Sequence, residues 1–281
     1  MAHRFSSTRD WSPSDIGSHG WHAGDSGLIP VDFDSLARGG SKRPGGGGGG
    51  GGTPSGSTYV SGDPLVANSA EFNIEIIFKG TWTTALKNAF IVSAEALSDY
   101  ILGDLSNVLY QGRVIDDISI TAELLSIDGA GGILGQAGPT AIRTGSYLPA
   151  TAVMQFDSAD ATYYDGLGLF NDIALHEMMH CVGVGTIWNY KGLLNGNGTS
   201  SPTFNGAFAN DVYPGDALIP VENSGGGGTA YSHWEESVFG NELMTGYINN
   251  DNTLFYMTIA SLGDLGYSTV SGASYVPPTF I

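Results

Sequence analysis

Eight consecutive glycines, Gly45–Gly52, set the first limit on what this chain can fold into. Such a run has no side chains to bury and loses the most backbone entropy on ordering, so it suits neither a core helix nor a core strand. It lies in a stretch rich in Ser, Gly, Pro and Asp. Residues 1–68 are therefore expected to be a disordered tail and linker, and residues 69–281 the folded domain. The tail motif "SHGWH" (His19, Trp21, His22) reads as scattered tail residues and not as a metal site.

Charge follows the same division. Residues 1–60 carry five Lys/Arg and five Asp, so five basic and 23 acidic residues put the whole formal charge of −18 on the remainder. A field of that sign repels phosphate backbones and anionic lipid surfaces and disfavours nucleic-acid binding. The single cysteine, Cys181, precludes an intrachain disulfide. The amino terminus "MAHRFSSTRDW" has no apolar h-region, so no Sec signal is expected. No apolar run of about 18 residues is present, so no spanning helix is expected either.

Hydrophobic periodicity sketches the domain. "FNIEIIFKG" predicts a strand with Ile74, Ile76 and Phe78 on one face. Leu86, Phe90, Ala94, Leu97 and Ile101 recur at three- and four-residue steps, predicting an amphipathic helix from Trp82 to about Leu102. "GRVIDDISITAELLSIDG" and "ATAVMQFD" predict two further strands. A helix is expected over 167–182, ending where Gly183 can adopt a left-handed stop. Residues 184–250 are loop-rich, and a last helix is expected over 252–264.

The chemistry lies in "ALHEMMHCVGVGTIW", residues 174–188. His176 and His180 stand four apart, so on a helix they share a face and can chelate one ion. Glu177 is placed to take a proton from water beside such an ion without itself binding it. Cys181 reads as small packing on the inner face of the helix. A third ligand is needed. No Asp or Glu occurs between Cys181 and Asn210, which removes a glutamate ligand a few turns downstream. Thr186 stands where a compact motif would place a third histidine. The one histidine downstream is His233, in "YSHWEESVFGNELMTGY", and Asp211 in "NDVYPGD" is the acidic alternative.

With "HEMMHCVG", "SHWEESVFGNELMTG" and "ASLGDLGY", the chain resembles the leishmanolysin family of metzincin zinc endopeptidases, and most closely a bacterial, cysteine-poor branch. The similarity runs from about Phe72 to Tyr267. It implies that His176, His180 and His233 ligate one Zn2+ ion and that Glu177 is the general base. It further implies that Gly183 makes the sharp turn below the site and that Met244 forms the Met-turn. The implied fold is α+β: a zincin-like domain with a mixed sheet, an active-site helix and a loop-rich C-terminal subdomain. Some metzincins have a tyrosine two residues after the Met, where this chain has Gly246. The implied function is a zinc metalloendopeptidase acting on protein or peptide substrates, bound extended along the sheet edge.

Two other readings stay open: a zincin with Asp211 as third ligand, and a non-catalytic adhesion or binding module with a structural zinc. A Ca2+ site has no loop motif behind it. The family's habit, with the acidic, disulfide-free composition, points to a secreted protein exported without a Sec signal, with the cytoplasm as the alternative. Oligomeric state and substrate preference leave no mark in the sequence.

Overall fold

The computed structural model describes residues 3–4, 28–31, 56–131 and 133–280. Its centre is a six-stranded mixed sheet. In chain order the strands are β1 (Leu28–Pro30), β2 (Thr58–Val60), β3 (Ile74–Lys79), β4 (Ile118–Leu125), β5 (Gly135–Arg143) and β6 (Pro149–Asp157). Across the sheet the order is β1-β5-β6-β4-β3-β2. The three central strands, β6, β4 and β3, are parallel, with Thr151 opposite Ser119 and Ile74 opposite Ile118. The outer pairings are antiparallel.

One face of the sheet is buried by helices. On β3 the alternation works as expected: Ile74, Ile76 and Phe78 are buried, and the intervening Glu75 and Ile77 are half-buried. Helix α1 (Thr84–Tyr100) is capped by Thr83, whose side chain accepts from Leu86 N–H, and buries Leu86, Phe90, Ala94 and Leu97. Phe78, Trp82, Phe90, Phe156 and Phe170 meet between sheet and helices, mostly edge to face with centroids 5.1–6.4 Å apart. Phe170 opens the helix that carries the histidine pair, so this cluster ties that helix to the sheet.

Several boundaries differ from the sequence expectation. The helix expected over 167–182 is α3 (Phe170–Cys181), and a separate helix just upstream, α2 (Ser158–Gly166), was not expected; Asp157 caps α2, and Gly168 turns left-handed between the two. The strand expected in one piece from Gly112 divides at Asp116–Asp117 into Arg113–Ile115 and β4. The last helix, α4, is Tyr256–Leu265. Strand β5 was not expected at all, since "GQAGPTAIR" carries two glycines and a proline where a strand signal is sought.

The expected tail, 1–68, falls partly outside the described residues, including the glycine run, His19 and His22. Three described stretches of it are strands, of which His3–Arg4 pairs antiparallel with Tyr247–Ile248 outside the main sheet. Thr58–Val60 forms one edge of the sheet against β3, and Leu28–Pro30 forms the other against β5. Tyr59 extends its hydroxyl to Glu95 on α1. The sheet thus begins upstream of residue 69, through β-formers too few to give a periodic signal.

Candidate metal centre and active site

Helix α3 is apolar almost all round: every residue from Ile173 to Cys181 is buried. A helix so placed is core, and polar side chains on it must find partners or a ligand. Cys181 faces the sheet, its thiol 3.8 Å from Val153 O. His176 and His180 lie one turn apart on another side, ring centroids 4.7 Å apart.

The turn after α3 is built for close approach. Gly183 has φ +112°, and a Cβ there would fall 2.7 Å from Ile187 Cδ1. Gly185 has φ +75°, and a Cβ there would overlap Ser232 O at 2.0 Å. The chain can therefore pass directly against the segment that brings in His233. Between the glycines, Val184 turns its carbonyl to His180 Nδ1 at 2.8 Å. Thr186 Oγ1 donates to His180 O at 2.8 Å, which accounts for that hydroxyl.

His233 arrives on a segment with little regular structure, fixed by long-range contacts. Glu222 N–H donates to His233 O, and Trp234 N–H donates to Met244 O. Trp234 packs on Trp188 with centroids 4.5 Å apart, and its indole N–H donates to Thr258 Oγ1. The Leu243–Met244 turn serves both sides, since Leu243 O lies 2.7 Å from His176 Nδ1. Beneath it lies Glu242, 1% exposed, whose carboxyl accepts from Met244 N–H, Phe255 N–H and Thr258 Oγ1–H. Burial pushes that carboxyl up to about 7. Gly246 leaves room where a Cβ would meet Thr229 Cγ2 at 2.2 Å, so no tyrosine fits at that position.

The three imidazoles converge. His176, His180 and His233 are each 0% exposed, and their Nε2 atoms lie 3.0, 3.1 and 3.2 Å from one another. Each Nδ1 faces a backbone carbonyl: Leu243 O, Val184 O and Thr229 O. A carbonyl only accepts, so each neutral ring carries its proton on Nδ1 and turns the Nε2 lone pair inward. Burial, with the neighbouring imidazoles, holds the His176 and His180 pKa values well below normal, and burial brings His233 down to about 4. Three neutral rings therefore aim three lone pairs at one point. Such a group could hold a metal ion, and three nitrogen donors suit zinc.

Glu177 is fully buried one residue from His176. Neither carboxyl oxygen has a protein hydrogen-bond partner, and burial pushes its pKa well above the ordinary range. Its Oε1 lies against Gly135 at the start of β5, 3.0 Å from where a Cβ would be. Asp211 is exposed, near the end of the short helix Ala207–Val212, and stands outside the converging group. Among the described residues one other acidic cluster, Asp104, Asp116 and Asp117, could also reach a common ion.

Sequence reasoning passed over Gly185 and Glu242. The "GVG" after the helix and the glutamate two residues before Met244 were the available signals, but neither has meaning until the two segments meet.

The leishmanolysin family model matches residues 144–274, the stretch holding α3, the three histidines and Met244. Over that stretch the chain is similar to the leishmanolysin metallopeptidases, a family that depends on zinc in general. No curated protein matches it.

Proposed function

We propose that this chain is a zinc-dependent endopeptidase in which Nε2 of His176, His180 and His233 holds one ion and Glu177 is the general base. The single observation that carries the reading is the convergence of three inward lone pairs, two from an otherwise apolar helix and one from the segment of His233. When bound, the ion supplies Lewis acidity at a coordination position that three ligands leave open. The chain supplies the rest. Carbonyls of Leu243, Val184 and Thr229 hold the ring tautomers and orientations, as outer partners of metal ligands do.

Glu177 moves the proton. Among the described residues it is the one buried carboxyl with both oxygens unpartnered. A carboxylate with a raised pKa can take a proton from attacking water near neutral pH and pass it to the leaving amine. The Met-turn assignment rests on the same segment: Met244 shares its backbone with the carbonyl that orients His176 and with the bond that fixes Trp234, next to His233. Gly183 would serve as the sharp turn of a metzincin-type site.

The catalytic domain, expected over 69–281, is proposed to include Thr58–Val60 as an edge strand. Action outside the cell belongs to the same proposal. No helix among the described residues is long and apolar enough to cross a membrane.

The test is metal analysis with casein hydrolysis. The purified chain should contain about one zinc, lose activity to a chelator and regain it with zinc. A protein that binds no zinc, or cleaves casein regardless of chelation, would overturn the reading.

A further inference from the structure

The face of the sheet turned away from the helices is an open groove of about 500 Å3. Strand register builds its floor as three rows that run across the strands. The middle row, Ile77–Thr121–Val153, continues to Gly138, which adds no side chain. At the usual strand spacing that row spans about 14 Å. On one side of it lies a chain of polar contacts. Lys79 Nζ donates to Glu123 at 3.0 Å, Gln155 donates to Glu123 at 2.8 Å, and Gln136 donates to Gln155 at 2.7 Å. On the other side, Ser119 and the Thr140–Thr151 pair, with hydroxyls 2.7 Å apart, line the groove.

A hairpin forms one wall. Val108–Tyr110 pairs with Arg113–Ile115 through Gln111 and Gly112, both at positive φ, as a tight two-residue turn requires. Arg113 pins the hairpin to the floor. Its Nη1 and Nη2 donate to Glu75 at 2.9 and 2.5 Å, and Nη2 also donates to Ser119 Oγ at 2.6 Å. Tyr110 and Gln111 are thereby held at the edge of the groove.

This lining selects by chemistry. The chain beyond residue 60 is strongly acidic. Yet the cations that line the groove, Lys79 and Arg113, are each matched by a carboxylate, Glu123 and Glu75, so the groove is locally neutral. Among the described residues a charged ligand would meet no unmatched counter-charge there. A wholly apolar ligand would strip water from the hydroxyl, amide and ammonium groups without replacing its hydrogen bonds. Sugar hydroxyls both donate and accept, and so match the two polar rows. The C–H faces of a sugar ring suit Ile77 and Val153 between those rows, and Tyr110 adds a surface that is apolar with a polar tip.

We propose that this groove binds a neutral oligosaccharide. The site stands apart from the metal centre. Val153, in its floor, has its carbonyl 3.8 Å from the Cys181 thiol on α3, so the groove and the histidine helix lie back to back across the sheet. A glycan held in the groove anchors the chain to carbohydrate and leaves the histidines free. The proposal does not rest on the peptidase reading.

The experiment titrates the full chain, at one fixed zinc concentration, with maltohexaose, cellohexaose, chitohexaose and mannohexaose in a calorimeter. A heparin hexasaccharide and a Gly/Ser decapeptide are the charged and polypeptide controls. At least one neutral sugar should bind with Kd below about 1 mM. Thr121→Trp fills the middle of the floor and should weaken that binding by about tenfold or more, with zinc content unchanged. Glu177→Gln should bind the sugar as the parent chain does.

Binding of no neutral sugar, tighter binding of the heparin fragment or the peptide than of any sugar, or sugar binding indifferent to Thr121→Trp would overturn the proposal. So would loss of sugar binding in Glu177→Gln, which would move the sugar to the histidine side of the sheet. Should Thr121→Trp fail to fold, a Tyr110→Ala/Gln111→Ala double variant on the hairpin gives the same comparison.

Discussion

Replacing Glu242 probes the support of the site without touching a ligand. Its carboxyl satisfies the buried N–H of Met244, the buried Thr258 hydroxyl and the half-buried N–H of Phe255. In Glu242→Ala the hydroxyl can rotate toward another acceptor, but the two amides cannot. An orphaned buried amide costs roughly 1–3 kcal/mol and the half-buried one less, so the loss should reach about 2–4 kcal/mol, before any cavity term. Glu242→Gln keeps the volume and one acceptor, but sets an NH2 group against a backbone N–H, and should cost about 1–3 kcal/mol.

The two wild-type protonation states sharpen the test. Burial raises the Glu242 pKa to about 7 from the model-compound value of 4.5. A carboxyl raised on folding contributes stability that is fully present below about 4.5 and is lost as pH rises through about 7, a swing of about 3 kcal/mol. Gln cannot ionise and lacks this swing. The stability gap between wild type and Glu242→Gln should therefore be widest below about pH 4.5 and narrower by about 3 kcal/mol near pH 8. Urea unfolding of the two proteins at one fixed zinc concentration, read by the fluorescence of buried Trp188 and Trp234, measures that gap. The histidines are common to both proteins, so their titration cancels. A gap independent of pH, or an alanine variant within about 0.5 kcal/mol of wild type, would refute the account of Glu242 as a buried acceptor beneath the turn.

Glu177→Gln should lower casein hydrolysis by at least about a hundredfold while zinc content stays near one per chain; loss of the metal with the activity would mean that Glu177 has been given the wrong role. His233→Ala should lose tight zinc and all measurable hydrolysis, whereas Asp211→Ala, on an exposed helix end, should keep both; the reverse pattern would exchange the third ligand for the aspartate. Gly185→Ala should cost more than about 2 kcal/mol and weaken zinc binding, because a Cβ would meet Ser232 O at 2.0 Å in a backbone conformation of positive φ. A silent Gly185→Ala, measured by unfolding and zinc competition, would show that the two segments are not pressed together.

What the sequence determined by itself was local and periodic. Spacing of four on a helix puts His176 and His180 on one side whatever surrounds them, and alternation gives β3 its buried Ile74, Ile76 and Phe78. Both follow from backbone geometry within a few residues. Strand β5, with glycines and a proline, becomes a strand because β6 offers a partner ladder, and β1 and β2 are too short to declare themselves before they meet the sheet. Which third residue meets the histidine pair was open to sequence alone, since His233 and Asp211 both lay downstream. Tertiary structure decided where their side chains stand: His233 is brought in by Gly185, Trp234 and the Met244 turn, and Asp211 stays at the surface. The same holds for Glu242, an ordinary glutamate in sequence whose burial and three donors come from Met244, Phe255 and Thr258. Such convergence depends on contacts between segments tens of residues apart, and no local pattern encodes the energy of a contact until both sides are in place.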